Sequence, residues 1–215
     1  MKIAACIFDM DGLLLDSERV AFACGRQACE NLGMPWRAEV ALAMIGRNAR
    51  DNAALMLSEY GESFPIAQHQ TEFARLYAAA IEAGEIPLKP GVATLLDRLD
   101  VLGLPRAVAT STARERAEHK LARVGILDRF DLIVGGDEVA HGKPAPDIFL
   151  AAAARLDVAP ARCLALEDSN AGIRAALAAG MQARMIPDLL QPEADVIAAG
   201  VPVLASLADV LEILE

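Results

Sequence analysis

Ile3-Ala4-Ala5-Cys6-Ile7-Phe8-Asp9-Met10-Asp11-Gly12 is an apolar run with no polar break that ends in two carboxylates one residue apart and a glycine. Its length and its closing turn signal predict a buried strand over 2–8. A strand apolar on both faces suits a parallel sheet covered by helices. Asp9 then stands at the carboxyl end of that strand, where open α/β sheets place their ligands. One such pair alone is explained by loop capping. Two buried carboxylates otherwise need a cation or a hydrogen-bond network, and the polar clusters farther along the chain bear on which holds.

The chain has 215 residues, enough for one large domain or one domain plus an insert. It is 54% hydrophobic and only 4% aromatic, so alanine and leucine must fill the core. The net charge of −10 argues against general nucleic-acid binding, which rests on neutralising phosphates. No stretch approaches the ~20 apolar residues of a membrane helix. A start that reads as an acid-bearing strand is unlike a signal peptide, so a cytoplasmic protein is expected. Cys6, Cys24, Cys29 and Cys163 form no C-x-x-C pair and read as reduced, packed thiols.

After Gly12 the pattern becomes helical for about 70 residues, with Asp16 or Ser17 as the first cap and Gly33, Gly61 and Gly84 as punctuation. Helices are expected from Glu18 to about Leu32, from Pro35 to about Met44, from Ala49 to Tyr60 and from Pro65 to about Ala83. The pattern changes at Pro87-Leu88-Lys89-Pro90-Gly91, after which helix and strand alternate. Strands are expected at 106–109, 132–134, 163–166 and 183–186, with a weak one near Val203 and a last helix at 207–214. The expected fold is α/β: a Rossmann-like parallel sheet with helices on both faces, formed by 1–15 and 88–215. A small all-helical cap domain is expected over 16–87, rooted beside the carboxylates and well placed as a lid.

Every later polar cluster follows an expected strand. Thr110-Ser111-Thr112, Gly142-Lys143-Pro144 and Glu167-Asp168-Ser169 all converge on the sheet edge that carries Asp9 and Asp11. Capping explains any one of them. Four carboxylates and a lysine on one edge fit phosphoryl transfer better, since that needs a nucleophile, a cation, oxygen donors and an acid/base. Asp9, Glu167 and Asp168 suit Mg²⁺, Lys143 suits neutralisation of nucleophile and phosphate, and Thr110 and Ser111 suit hydrogen bonds to phosphoryl oxygens. The glycines before Lys143 are one residue too widely spaced for a P-loop, and Pro144 replaces its Ser or Thr.

The pattern resembles the haloacid dehalogenase superfamily over essentially the whole chain. Asp9-Met10-Asp11-Gly12 is similar to its first motif, Thr110 to its second, Lys143 to its third and Glu167-Asp168 to its fourth. The nearest subgroup resembles the β-phosphoglucomutase-like phosphatases. The resemblance implies that Asp9 is the nucleophile and a metal ligand, and that Asp11 is general acid/base and gives its backbone carbonyl to Mg²⁺. It implies that Thr110 and Lys143 bind phosphate and that Glu167 and Asp168 complete the metal site. Related enzymes carry a specificity loop where Gly46-Arg47-Asn48 stands, so Arg47 or Arg50 is expected to grip a second anionic group of the substrate; an ordinary solvated arginine is the other reading. Glu18 either faces the cleft or is a first-turn helix charge. Sugar-phosphate mutases of the subgroup carry a histidine where this chain has Arg19-Val20, which favours hydrolysis.

The expected function is thus a Mg²⁺-dependent phosphatase of a small phosphomonoester, with a sugar phosphate as the narrower expectation, working through an aspartyl-phosphate. The expected partner is a small phosphorylated metabolite, with no nucleic acid, no membrane and a monomer as the default. The alternatives are a phosphomutase, which would need a bisphosphate primer, and a non-catalytic module that binds a phosphorylated metabolite. Asp9→Asn separates these, because it abolishes turnover and leaves pure binding mostly intact.

Overall fold

A computed structural model describes residues 2–214, so the expected outer ends of the core, Met1 and Glu215, lie outside the described residues. The opening strand is β1, Ala5–Phe8, shorter than expected because residues 2–4 are outside the ladder. Its side chains alternate between two cores, as the two-residue period of a strand requires. Cys6 and Phe8 join Leu95, Leu99 and Leu121 on one face, and Ala5 and Ile7 join Phe149 and Ile173 on the other.

Four helices follow: α1 (Glu18–Asn31), α2 (Ala38–Ala43), α3 (Ala49–Tyr60) and α4 (Ile66–Glu82). Helix α2 starts later than expected, with Arg37 in extended backbone before it. Then come α5 (Val92–Leu102), β2 (Arg106–Ala109), α6 (Arg114–Arg123), β3 (Leu132–Val134) and α7 (Asp147–Arg155). The chain ends with β4 (Cys163–Glu167), α8 (Asn170–Ala178), β5 (Gln182–Met185) and α9 (Ala194–Ala198). The five-residue α9 is too short to leave a readable period in the sequence. Val203 makes only an isolated bridge to Met185, and 207–213 is a 3₁₀ segment rather than an α-helix.

The sheet is parallel, in the order β3-β2-β1-β4-β5. The strand order reverses at β1, which has β2 on one side and β4 on the other, so a crevice opens at its carboxyl end. The register sets Phe8 level with Val108 and Leu166, bringing Asp9, Thr110 and Glu167 to that crevice.

The two chain crossings between the helical segment and the sheet run side by side. Leu15 and Leu88 form an antiparallel bridge, the Asp16 amide donates to the Pro87 carbonyl (2.9 Å), and the Lys89 amide donates to Leu14 (2.9 Å). Arg19 and Lys89 both pair with the buried carboxylate of Asp188, at 2.8 and 2.7 Å. Inside the helical segment α1 packs along α4, and Phe22 meets Trp36 edge to face at 5.0 Å. No helix among the described residues is long and apolar enough to cross a membrane.

Candidate active site

The ends of three adjacent strands build the site. The Asp9 amide continues the ladder to the Leu166 carbonyl (3.0 Å), and the Thr110 amide does the same to Val134 (3.1 Å). Both side chains are therefore fixed at the sheet edge. Lys143 arrives on the loop between β3 and α7 and is 2% exposed. Its ammonium donates to Asp9, to the Ala109 carbonyl (3.0 Å) and to Glu167 (2.6 Å), which uses all three of its donors. Glu167 is fully buried, and its other oxygen accepts from the Ser169 hydroxyl (3.0 Å) and amide (3.2 Å). Ser169 also caps α8, accepting from the Gly172 amide. Its capping and its contact with the site are thus both real.

Glycine is required where the backbone approaches these carboxylates. A Cβ at Gly172 would fall 1.9 Å from the Glu167 carboxylate. One at Gly12, where φ is +85°, would fall 2.2 Å from Asp168.

Asp9, Glu167 and Asp168 each offer an oxygen, all within 4.8 Å of one another. One ammonium faces three buried carboxylates, so the cluster is short of positive charge. Burial pushes Asp9 up to about 7, with Lys143 opposing and Glu167 adding to the rise. Burial, followed by Asp9 and Glu167, lifts Asp168 well above its ordinary value. Burial works against the charge on Lys143, but its two carboxylate partners hold it protonated, above the usual lysine range. An all-oxygen donor set with this charge deficit fits a hard divalent cation.

Asp11 has a different environment. Its Oδ1 accepts from the Ser17 hydroxyl (2.6 Å) and from Lys120 (2.7 Å), and its Oδ2 accepts from Thr112 (2.7 Å). Burial alone would raise its pKa, but Lys120 and the hydroxyls outweigh it and hold the carboxyl below its ordinary range. Ser17 occupies the N-cap position of α1, yet its side chain turns to Asp11 instead of capping. Sequence reasoning missed Lys120 and Thr112 as partners of Asp11. Lys120 sits in Arg114-Glu115-Arg116-Ala117-Glu118-His119-Lys120, which reads as a solvated helix face. Its burial comes from tertiary packing, with the Tyr77 ring of α4 lying 4.9 Å from the ammonium.

The cap segment meets the site through the loop before α3. The Ser111 hydroxyl donates to the Gly46 carbonyl (3.1 Å), so this expected phosphate donor is engaged with the loop. A Cβ at Gly46 would fall 2.7 Å from the Ser169 hydroxyl. Arg47 is exposed and lines the cleft, whereas Arg50 pairs with Asp51 (3.2 Å) and does not line it. Glu18 lines the cleft beside Gly12; burial, then Asp11 and Asp9, push it up to about 8. His141 is exposed and pairs with Asp147 (3.0 Å). The cleft between sheet edge and cap encloses about 460 Å³.

Residues 3–180 match the family model of haloacid dehalogenase-like hydrolases. The fructose-1-phosphate phosphatase YqaB of Escherichia coli is 34% identical over 186 residues, which covers 85% of this chain and 95% of that one. The bifunctional riboflavin kinase/FMN phosphatase of Arabidopsis thaliana is 34% identical over 190 residues; the match takes in 87% of this chain but only 50% of that longer protein. An Asp-to-Asn variant of CbbY from Rhodobacter sphaeroides, crystallised with xylulose-1,5-bisphosphate, superimposes with a TM-score of 0.83 at 32% identity. That superposition covers 97% of this chain and 96% of the other. The chain belongs to the haloacid dehalogenase-like hydrolase family, within its phosphatase subgroup.

Proposed function

We propose that this chain is a Mg²⁺-dependent phosphatase that hydrolyses a small phosphorylated metabolite through an aspartyl-phosphate on Asp9. The observation that carries the reading is the buried group of Asp9, Lys143, Glu167 and Asp168 at the crevice of the sheet. Asp9, Glu167 and Asp168, with the backbone carbonyl of Asp11, would hold Mg²⁺. When bound, the ion neutralises charge on the nucleophile and on the phosphoryl oxygens.

In the first half-reaction an Asp9 carboxylate oxygen forms the bond to phosphorus and the bond from phosphorus to the ester oxygen breaks. The ester binds as its monoanion, whose proton passes to Asp11 and from there to the departing alcohol oxygen. In the second half a water oxygen bonds to phosphorus, its proton passes to Asp11, and the Asp9 carboxylate is released. Asp11 held anionic by Lys120, Ser17 and Thr112 suits this second half. Lys143 opposes the rise that burial and the acidic neighbours impose on Asp9, and Thr110, 1% exposed, is placed to donate to phosphoryl oxygens. Arg47 and Glu18 face the substrate from the cap, and 16–87 works as a lid over the core formed by 1–15 and 88–215. A monomer acting in the cytoplasm completes the reading.

Rapid quenching with radiolabelled substrate tests it. Label bound to protein, released by hydroxylamine and absent in Asp9→Asn, is the expected result. Full turnover with no protein-bound label and undiminished activity in Asp9→Asn would overturn the covalent step.

A further inference from the structure

The inward stripe of α6 carries a charge. Its buried residues are Ala117, Lys120 and Leu121, at the i, i+3, i+4 spacing of one helix face. Ala117 and Leu121 belong to the main hydrophobic core. A wholly apolar stripe would serve packing as well, since exchanging a buried ion pair for apolar side chains is often neutral or stabilising. Stability alone therefore does not account for the lysine. Among the described residues its ion-pair partner is Asp11 alone, at 2.7 Å.

The cover over Lys120 comes from the cap segment. The Tyr77 ring of α4 lies 4.9 Å from the ammonium and stacks on Phe73, one turn earlier, at 5.5 Å. Tyr77 and Ile81, on one face of α4, pack against the core cluster that holds Ala117 and Leu121. Farther along, Arg123 donates to the Glu82 carbonyl (2.7 Å), and His119 stands 2.8 Å from the Glu82 carboxylate. The last turns of α4 are thus seated on α6, with the Lys120 ammonium closed off between them. Its charge then acts on Asp11 with little screening by solvent. Ser17 bonds the same Oδ1 and Thr112 bonds Oδ2, so the carboxylate is held from three sides.

We propose that Tyr77 and Lys120 are positioning residues for Asp11: with α4 seated on α6, the Tyr77 ring covers the Lys120 ammonium and holds it against Oδ1, which fixes the orientation of the acid/base. The cap thereby contributes to the chemistry as well as to enclosing the substrate. The proposal rests on the phosphatase reading, in which Asp11 passes a proton to the departing alcohol. A carboxylate leaving group departs without that proton. Misplacing Asp11 therefore slows the ester of an alcohol and spares an acyl phosphate in kcat/KM, which reports on the steps up to departure of the leaving group. A merely structural defect lowers both together.

Phosphate release with Mg²⁺ is measured for acetyl phosphate and for the alcohol esters ribose 5-phosphate, fructose 1-phosphate, glycerol 3-phosphate and adenosine 5′-monophosphate. The readout is the kcat/KM of the alcohol ester that the wild type turns over best, divided by that of acetyl phosphate. In Lys120→Met this ratio is expected to fall about 100-fold. In Tyr77→Leu it falls about tenfold, and in Tyr77→Phe, which keeps the ring over the ammonium, it stays within about threefold of the wild type. Far-UV circular dichroism checks folding, and if Lys120→Met does not fold, the two Tyr77 variants decide. A wild-type ratio in Tyr77→Leu or in folded Lys120→Met would overturn the proposal, as would a fall in Tyr77→Phe as deep as in Tyr77→Leu. A wild type that hydrolyses acetyl phosphate and no alcohol ester also overturns it, because no proton transfer through Asp11 then takes place. If folded, Mg²⁺-loaded wild type releases phosphate from none of these compounds, the phosphatase reading fails and the proposal falls with it; an unchanged ratio removes the proposal alone.

Discussion

Replacing Lys120 by Met removes one charge and keeps the length of the side chain. Lys120 is 6% exposed, and its ammonium stands 2.7 Å from the Asp11 carboxylate. At that separation and an effective dielectric of about 20, the attraction is about 6 kcal/mol. The loss is smaller, because Asp11 can take a proton instead of remaining an unpaired buried anion. Protonating a carboxyl of ordinary pKa 3.8 costs about 4 kcal/mol at pH 7 and about 1.5 kcal/mol at pH 5. The cheaper route sets the ceiling, so Lys120→Met is expected to lose up to about 4 kcal/mol at pH 7 and about 1.5 kcal/mol at pH 5.

The sign follows from linkage. In the wild type the folded pKa of Asp11 lies below its unfolded value, so its contribution is present above pH 3.8 and is lost as pH falls through the folded pKa. In the variant the folded pKa is raised, the folded state holds the extra proton, and stability falls as pH rises from about 3.8 towards that raised value. Urea unfolding at the two pH values, in EDTA to remove metal, measures the difference. An equal loss at both, or a loss under about 1 kcal/mol at pH 7, would refute the reasoning.

Gly172→Ala should push the Glu167 carboxylate out of place, since the new Cβ would lie 1.9 Å from it and Glu167 is fully buried. Mg²⁺ affinity by calorimetry is expected to fall about 10–100-fold while the far-UV circular dichroism stays native; wild-type affinity would contradict the placement of Glu167. Burial holds His69 below its ordinary 6.5, so the unfolded chain takes the proton first and the wild type loses stability as pH drops below about 6.5. His69→Phe should lessen that acid slope in urea midpoints between pH 7.5 and 5.5; an identical slope would show that His69 carries no such penalty.

The parts of the site on strand ends could be read from the chain because each follows an apolar run. Asp9, Thr110 and Glu167 all stand at the ends of β1, β2 and β4, and a parallel register leaves no other place for them. The cap helices were legible from glycines that close them in left-handed backbone, such as Gly33 and Gly84. What escaped depends on packing between distant segments. Lys120 looks solvated until Tyr77 covers it, and Ser17 looks like a helix cap until Asp11 is seen beside it. The Ser111 hydroxyl also bonds the Gly46 carbonyl, a contact between residues 65 positions apart that no local pattern announces.

The most direct test of the central claim is inorganic phosphate release with Mg²⁺ across sugar phosphates, nucleotides and small acid phosphates, with Asp9→Asn beside the wild type. Release by the wild type that EDTA suppresses and Asp9→Asn abolishes is the predicted result. Release at the wild-type rate from folded Asp9→Asn, or none from folded, Mg²⁺-loaded wild type on any ester, would contradict the account.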